Sequence, residues 1–223
     1  MIVDCISDLH GHAPILEGGD LLIVAGDLTG RDEEIEYTKF REWVQKQNYA
    51  KKIIIAGNHD GRLYKSYQYC KNEECFKLPV MTRNPFMLDG CEYLCDSETV
   101  YEGLRIWGSP WTPMFCNWHF MKKRGDEIKA MWDLIPEDTD ILITHGPPFG
   151  CLDENYDEEH CGCEMLKLAV ERVKPKLHVF GHIHEQGGKT LLYKHEGPNT
   201  ICVNASIMNE NYKPVNMPVR VIL

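Results

Sequence analysis

The sequence predicts an α/β sandwich, with β-sheets inside, helices outside and polar loops gathered along one edge. Two observations carry that reading. Short apolar runs recur at residues 2–6, 21–25, 53–56, 141–144 and 177–180, and helical apolar stripes fall between several of them. Each run also ends in a segment containing Asp, Asn or His, usually beside glycine.

The elements follow in chain order. Continuous apolar runs this short read as strands buried on both faces. Residues 2–6 lead into Ser7-Asp8-Leu9-His10-Gly11, and residues 21–25 into Gly26-Asp27. Tyr37, Phe40, Trp43 and Val44 then share helical spacing. Residues 53–56 lead into Gly57-Asn58-His59-Asp60. The stretch from Phe76 to Trp111 has a different character, and within it residues 100–107 read as strand, turn, strand. Ile128, Met131, Trp132 and Ile135 keep the i, i+3, i+4, i+7 pattern of a core-facing helix. Residues 141–144 run into His145-Gly146-Pro147-Pro148. Met165, Leu166, Ala169, Val170 and Val173 form another stripe, stopped by Pro175. Residues 177–180 end in Gly181-His182-Ile183-His184, and residues 200–203 and 219–223 read as strands.

Size and charge bound what this fold can do. A chain of 223 residues reads as one domain, 1–223, large enough to bury a core. Its formal charge of −10 argues against a basic surface for duplex nucleic acid, which would need clustered Lys and Arg. Small anionic substrates stay open, because bound divalent cations would supply positive charge locally. No apolar run approaches the roughly 20 residues of a spanning helix, and Met1-Ile2-Val3-Asp4 is not the opening of an export signal. The 10 cysteines are therefore read as reduced thiols, and the expected compartment is the cytoplasm. Oligomeric state is not legible.

In an open α/β sheet the ends of these strands converge. That would bring together Asp8, His10, Asp27, Asn58, His59, His145, His182 and His184. Carboxylate, amide oxygen and imidazole suit Mn²⁺, Fe, Zn²⁺ or Mg²⁺. Each motif alone is weak, since Asp-x-His or Gly-Asp can simply be a turn. Five such segments, each after a strand, are specific in combination.

The order Asp8-x-His10, Gly26-Asp27, Gly57-Asn58-His59-Asp60, His145, Gly181-His182-x-His184 resembles the blocks of the calcineurin-like metallophosphoesterase superfamily. Residues 108–113 and 144–148 add similarity to the fetal-brain-type metallophosphoesterase-domain subfamily, a class III cyclic nucleotide phosphodiesterase group. The resemblance implies a four-layer α/β/β/α sandwich around a mixed two-sheet core, and two divalent ions, with Mn²⁺ the leading expectation. Asp8, His10 and His184 would hold one ion, Asn58, His145 and His182 the other, and Asp27 would bridge them. His59 would be the general acid at the leaving group, with Asp60 orienting it. Animal members of the subfamily carry Gly where this chain has His182, so the resemblance implies a complete second site here. The implied reaction is hydrolysis of a small phosphodiester, such as a cyclic nucleotide, by in-line attack of a metal-bridging hydroxide. A phosphomonoesterase of the same fold and a non-catalytic metal-binding scaffold are the alternatives.

Three further residues are candidate substrate contacts, each with a competing reading. Arg31 lies four residues after Asp27, as a phosphate-binding arginine does in related protein phosphatases, but Asp32-Glu33-Glu34 beside it also suits a solvated turn. Trp111 and His119 belong to an aromatic-rich stretch with Phe115, Trp118 and Phe120 that could stack on a base or fill the core. Cys151, Cys161 and Cys163 lack a zinc spacing and read as loop and helix-start residues. Residues 153–159 read as an acidic surface loop, and His178 as a core histidine.

Overall fold

The computed structural model describes residues 1–71 and 91–223. The stretch expected to begin at Phe76 therefore lies partly outside the described residues. Thirteen strands are seen among them: β1 (Ile2–Ile6), β2 (Gly19–Ala25), β3 (Tyr49–Ile55), β4 (Cys91–Tyr93), β5 (Ser97–Tyr101), β6 (Leu104–Ser109), β7 (Thr112–Pro113), β8 (Met121–Lys122), β9 (Ile141–Thr144), β10 (Leu177–Phe180), β11 (Lys189–Tyr193), β12 (Thr200–Asn204) and β13 (Val219–Ile222). Four helices accompany them among the described residues: α1 (Glu34–Gln45), α2 (Gly61–Lys71), α3 (Asp126–Trp132) and α4 (Glu164–Val173). No helix among these residues is long and apolar enough to cross a membrane.

Eleven of these strands form two mixed sheets, and β7 pairs with β8 separately. One runs β13-β1-β2-β3-β4 and the other β11-β12-β10-β9-β6-β5. Successive strand residues face opposite ways, so each apolar run serves two layers. Val3, Cys5, Leu21, Ile23 and Ile53 of the first sheet join Ile106, Ile141, Ile143, Val179 and Val203 of the second in one buried cluster between them. The alternate residues Leu22, Val24, Ile54, Trp107 and Leu142 cluster instead with Tyr37, Phe40 and Val44 of α1, Ile128 and Trp132 of α3, and Leu166 and Val170 of α4. Helices thus cover both outer faces, and the sandwich has the four layers expected.

This double burial explains why the runs are continuous rather than alternating. It also positions the site. β1, β2 and β3 are mutually parallel, as are β6, β9, β10 and β12. Just past the strand ends the two sheets are joined by a parallel bridge from Ser7 to Ser206, with the Ser7 N–H donating to Ala205 O at 2.8 Å. The loops after β1, β2, β3, β9 and β10 therefore open on one edge.

Candidate metal centre and cleft

The loops at that edge turn sharply. Asp8, His10, Asp27 and His182 all have left-handed backbone, with φ of 56°, 43°, 52° and 70°. Such conformations cost on the order of 1–3 kcal/mol in non-glycine residues, and they concentrate where function requires them. The neighbouring glycines make the close approach possible. A Cβ on Gly57 would overlap Asp27 Oδ1, and one on Gly181 would overlap Asp8 Oδ2 and Ser7 Oγ.

Seven side chains meet as a result. His10 Nε2 lies 3.4 Å from His184 Nε2 and 3.7 Å from Asp27 Oδ2, and His184 Nε2 lies 3.5 Å from Asp8 Oδ1. His145 Nε2 is 2.9 Å from Asn58 Oδ1 and 3.4 Å from Asp27 Oδ2. The His182 ring is 5.0 Å from that of His145, centroid to centroid, while its backbone N–H reaches both Asp8 carboxylate oxygens. Donor atoms of Asp8–His10–His184, of His10–Asp27–His59 and of Asp8–Asp27–His145 each lie within 4.8 Å of one another. The structure thus gathers every residue expected to hold metal.

The chemistry of the set fits divalent cations. Oxygen and imidazole donors converge without a thiolate. Two ring nitrogens facing each other at 3.4 Å are reconciled only by a shared proton or a cation between them. His145 Nδ1 is 2.9 Å from Ala25 O, which can only accept, so Nδ1 carries hydrogen and the Nε2 lone pair is left for a cation.

The buried charges agree. Burial raises the Asp8 carboxyl, but the hydrogen bond and charge of His184, with His145 and His10, outweigh it and hold it well below the carboxylate range. Burial likewise raises Asp27, and His145 overrides it to the same effect. Burial depresses His145, but Asp27 lifts it to about 9, and Asp8 similarly lifts His184. His182 falls to about 3 through burial, reinforced by His145, and burial lowers His10. The two buried carboxylates thus favour positive charge at this spot, which bound divalent cations would supply.

His59 sits at the rim. Its N–H donates to Asp27 Oδ1 at 2.8 Å and its Nδ1 lies 3.0 Å from Gly30 O. The expectation that Asp60 orients this ring is corrected. Asp60 Oδ2 accepts from Gly57 N–H and Leu28 N–H, and Oδ1 from Thr29 N–H and the Thr29 hydroxyl. Four bonds use up the carboxylate's acceptor sites. The partner of the ring is a backbone carbonyl, and Asp60 is a buried clasp between the loops after β2 and β3.

A cleft of about 560 Å³ opens above Asp27, Asn58, His59, His182 and His184, a size suited to a small molecule. Met114, Phe115 and Trp118 line it, with Tyr212, Asn155, Glu159, His160 and Glu185. Phe115 sits 5.6 Å from the His182 ring, and Tyr212 sits 5.2 Å and 4.8 Å from those of His10 and His184. Asp153, read as part of an exposed loop, is instead buried and accepts from His160 Nδ1 at 2.8 Å.

The three candidate substrate contacts lie elsewhere. Trp111 is buried, donates its indole N–H to Asp96 and carries the Lys122 ammonium over its ring. His119 packs against Tyr64, with ring centroids 5.6 Å apart, and does not line the cleft. Arg31 is exposed outside the cleft, because Glu36 draws the N–H groups of Gly30, Arg31 and Glu33 to the start of α1. The cysteines part company as expected. Cys163 Sγ caps α4, Cys161 bonds a local carbonyl and Cys151 packs with Phe180 and Cys202. His178 is buried on Thr144 Oγ1 at 2.8 Å.

A two-sheet sandwich whose strand ends deliver this mixed donor set to a small cleft defines a metallophosphoesterase. Residues 1–186 match the calcineurin-like phosphoesterase family, and the chain belongs to it. It is 42% identical to metallophosphoesterase domain-containing protein 1 of Homo sapiens over 228 residues, covering 96% of this chain and 68% of that protein. A more distant relative is a protein of Synechococcus named as a probable cyclic nucleotide phosphodiesterase, 27% identical over 74% of this chain and 58% of its own. The crystal structure of TT1561 of Thermus thermophilus shares the fold, with a TM-score of 0.57 at 14% identity over 93% of this chain and 91% of its own.

Proposed function

We propose that the protein is a dinuclear-metal phosphodiesterase acting on small diesters, cyclic nucleotides among them. The observation that carries this reading is the cleft itself: the donor set forms its floor and exposed aromatic side chains form its wall. Aromatic faces accept a base or aryl group beside the reacting phosphorus. The Synechococcus relative's name points the same way.

Two divalent ions in such a site supply Lewis acidity toward phosphoryl oxygens and activate water near neutral pH. Asp8, His10, His184, Asn58, His145 and His182 would hold them with Asp27 between; three oxygen and four imidazole donors suit Mn²⁺, Fe or Zn²⁺, and Mn²⁺ is the ion we propose. The protein's own part is to position. Ala25 O fixes the His145 tautomer, and Asp60 ties together the loops carrying Asp27 and Asn58. His59, held on Gly30 O through Nδ1, offers Nε2 to a leaving oxygen as general acid. We also propose a reducing, cytoplasmic setting, in keeping with the 10 cysteines.

The test is hydrolysis of bis-p-nitrophenyl phosphate and p-nitrophenyl phosphate by chelator-stripped protein, with and without Mn²⁺. Metal-dependent turnover of the diester well above the monoester is expected, followed by activity on cyclic nucleotides. Preference for the monoester would overturn the diester assignment, and silence toward both with metal bound would point to a scaffold.

A further inference from the structure

Trp118 is the aromatic residue of the cleft wall that meets His59. Its indole lies over the His59 imidazole, with centroids 4.3 Å apart and planes inclined by 31°. His10 meets the same imidazole edge-on at 4.6 Å and 88°. Gly30 O holds Nδ1. The ring is thus fixed by a face contact, an edge contact and a hydrogen bond, while the cleft side stays open.

The segment that carries Trp118 is built to hold it there. β7 and β8 pair at its base, through Thr112 with Met121 and Pro113 with Lys122. His119 N–H donates to the carbonyl of Asn58 at 3.3 Å, linking the segment to the residue before His59. Phe120 is fully buried against Trp111 and Tyr64. Residue 120 is thus anchored in the core and residue 119 on the Asn58 loop, yet the Trp118 side chain remains 44% exposed at the cleft. A large apolar ring left half-open over one imidazole does little for stability.

We propose that Trp118 is a positioning residue for His59, holding the imidazole in the plane that aims Nε2 at the leaving oxygen. The inference rests on the reading of His59 as general acid. Misplacing a catalytic group by about 1 Å can cost on the order of a hundredfold in rate. A ring freed on one face would still find the productive pose part of the time. Trp118→Ala should therefore lower kcat by roughly tenfold on a diester with a poor leaving group, less than the full loss of a general acid. A diester with a good leaving group needs little proton donation and should be nearly unaffected. KM should change little for either.

The experiment compares the parent, Trp118→Ala, Trp118→Phe, His59→Ala and the Trp118→Ala/His59→Ala double variant. The substrates are aryl methyl phosphate diesters graded from p-nitrophenyl to phenyl, assayed with Mn²⁺. In parallel, the imidazole ring protons of His59 are followed by NMR in the metal-free protein. The expected result is a steeper leaving-group dependence in Trp118→Ala, restored by Trp118→Phe and absent as an added effect in the double variant. The His59 ring protons, shielded by the indole, should move downfield in Trp118→Ala. An unchanged His59 resonance would overturn the positioning role, because the ring would not depend on the indole. A raised KM with unchanged kcat would overturn it in favour of a substrate wall. If the leaving-group dependence of His59→Ala is no steeper than that of the parent, the general-acid reading falls and the catalytic role of Trp118 with it, a failure that the comparison of parent with His59→Ala marks alone.

Discussion

Replacing Asp60 by alanine should loosen the metal centre without touching a single donor atom. The carboxylate is fully buried and accepts from Gly57 N–H at 2.8 Å, Leu28 N–H at 3.2 Å, Thr29 N–H at 3.1 Å and the Thr29 hydroxyl at 3.0 Å. Removing it strands three backbone donors, each worth about 1–3 kcal/mol when buried and unpaired, while the Thr29 hydroxyl keeps the His59 carbonyl at 3.2 Å. The sum is an upper bound, because the charge is itself costly to bury. Burial, and then the negative charge of Asp27, push the Asp60 carboxyl above the usual range. Relief of that cost leaves a net loss of about 3–5 kcal/mol, as when one partner of a buried charge network is deleted. For a chain of this length that is roughly 6–20 °C in Tm. Asp60→Asn should lose about half as much, since one oxygen survives while the new amide faces the Leu28 and Gly57 N–H groups. Urea and thermal unfolding in chelator at pH 7.5 read these losses free of metal linkage, and calorimetric Mn²⁺ titration reads the loosened site. An Asp60→Ala protein within about 0.5 kcal/mol of the parent would refute the reasoning, since that is the range of a neutral surface change.

Two further outcomes follow from the buried histidines. His145, lifted to about 9 in the metal-free protein, must shed its proton to bind a cation, so metal affinity should climb as pH rises toward about 9 and level off above it. Calorimetry in buffers of different ionisation enthalpy should show proton release at pH 7.5, and a buffer-independent heat would contradict it. His178, depressed to about 3 by burial, stays neutral in the fold while an unfolded histidine titrates near 6.5. Its contribution is complete above about 6.5 and is lost as pH falls toward 3, about 2 kcal/mol by pH 5. His178→Gln should flatten that acid limb in urea unfolding, and an unchanged limb would count against it.

The metal centre was legible because its parts are local. Each donor follows its own strand within four residues, so an apolar run such as 53–56 points to Asn58 and His59, and five such runs together mark the site. The strands were legible for a related reason: burial on both faces forces continuous apolar runs. Where burial is absent the signal vanishes. β11 is an exposed edge strand, and α2 carries its apolar contacts largely on tyrosines. The cleft wall was harder still. Phe115 and Trp118 face the cleft while Trp111 and Phe120, from the same aromatic run, enter the core. That division depends on two-residue strands, β7 and β8, too short to leave a periodicity. Tyr212 arrives from a turn well beyond the last motif. Gly30 holds His59 with a carbonyl, a group every residue has, so no side chain marks it in the sequence.

The most direct measurement counts bound Mn²⁺ in chelator-stripped protein by electron paramagnetic resonance while turnover of bis-p-nitrophenyl phosphate is followed in the same samples. Two spin-coupled ions per chain should bind, with turnover rising as the second is filled, and Asp27→Asn should lose both the coupling and the rate. Full turnover with one ion per chain, or an undiminished coupled pair and rate in Asp27→Asn, would contradict a dinuclear centre bridged by Asp27.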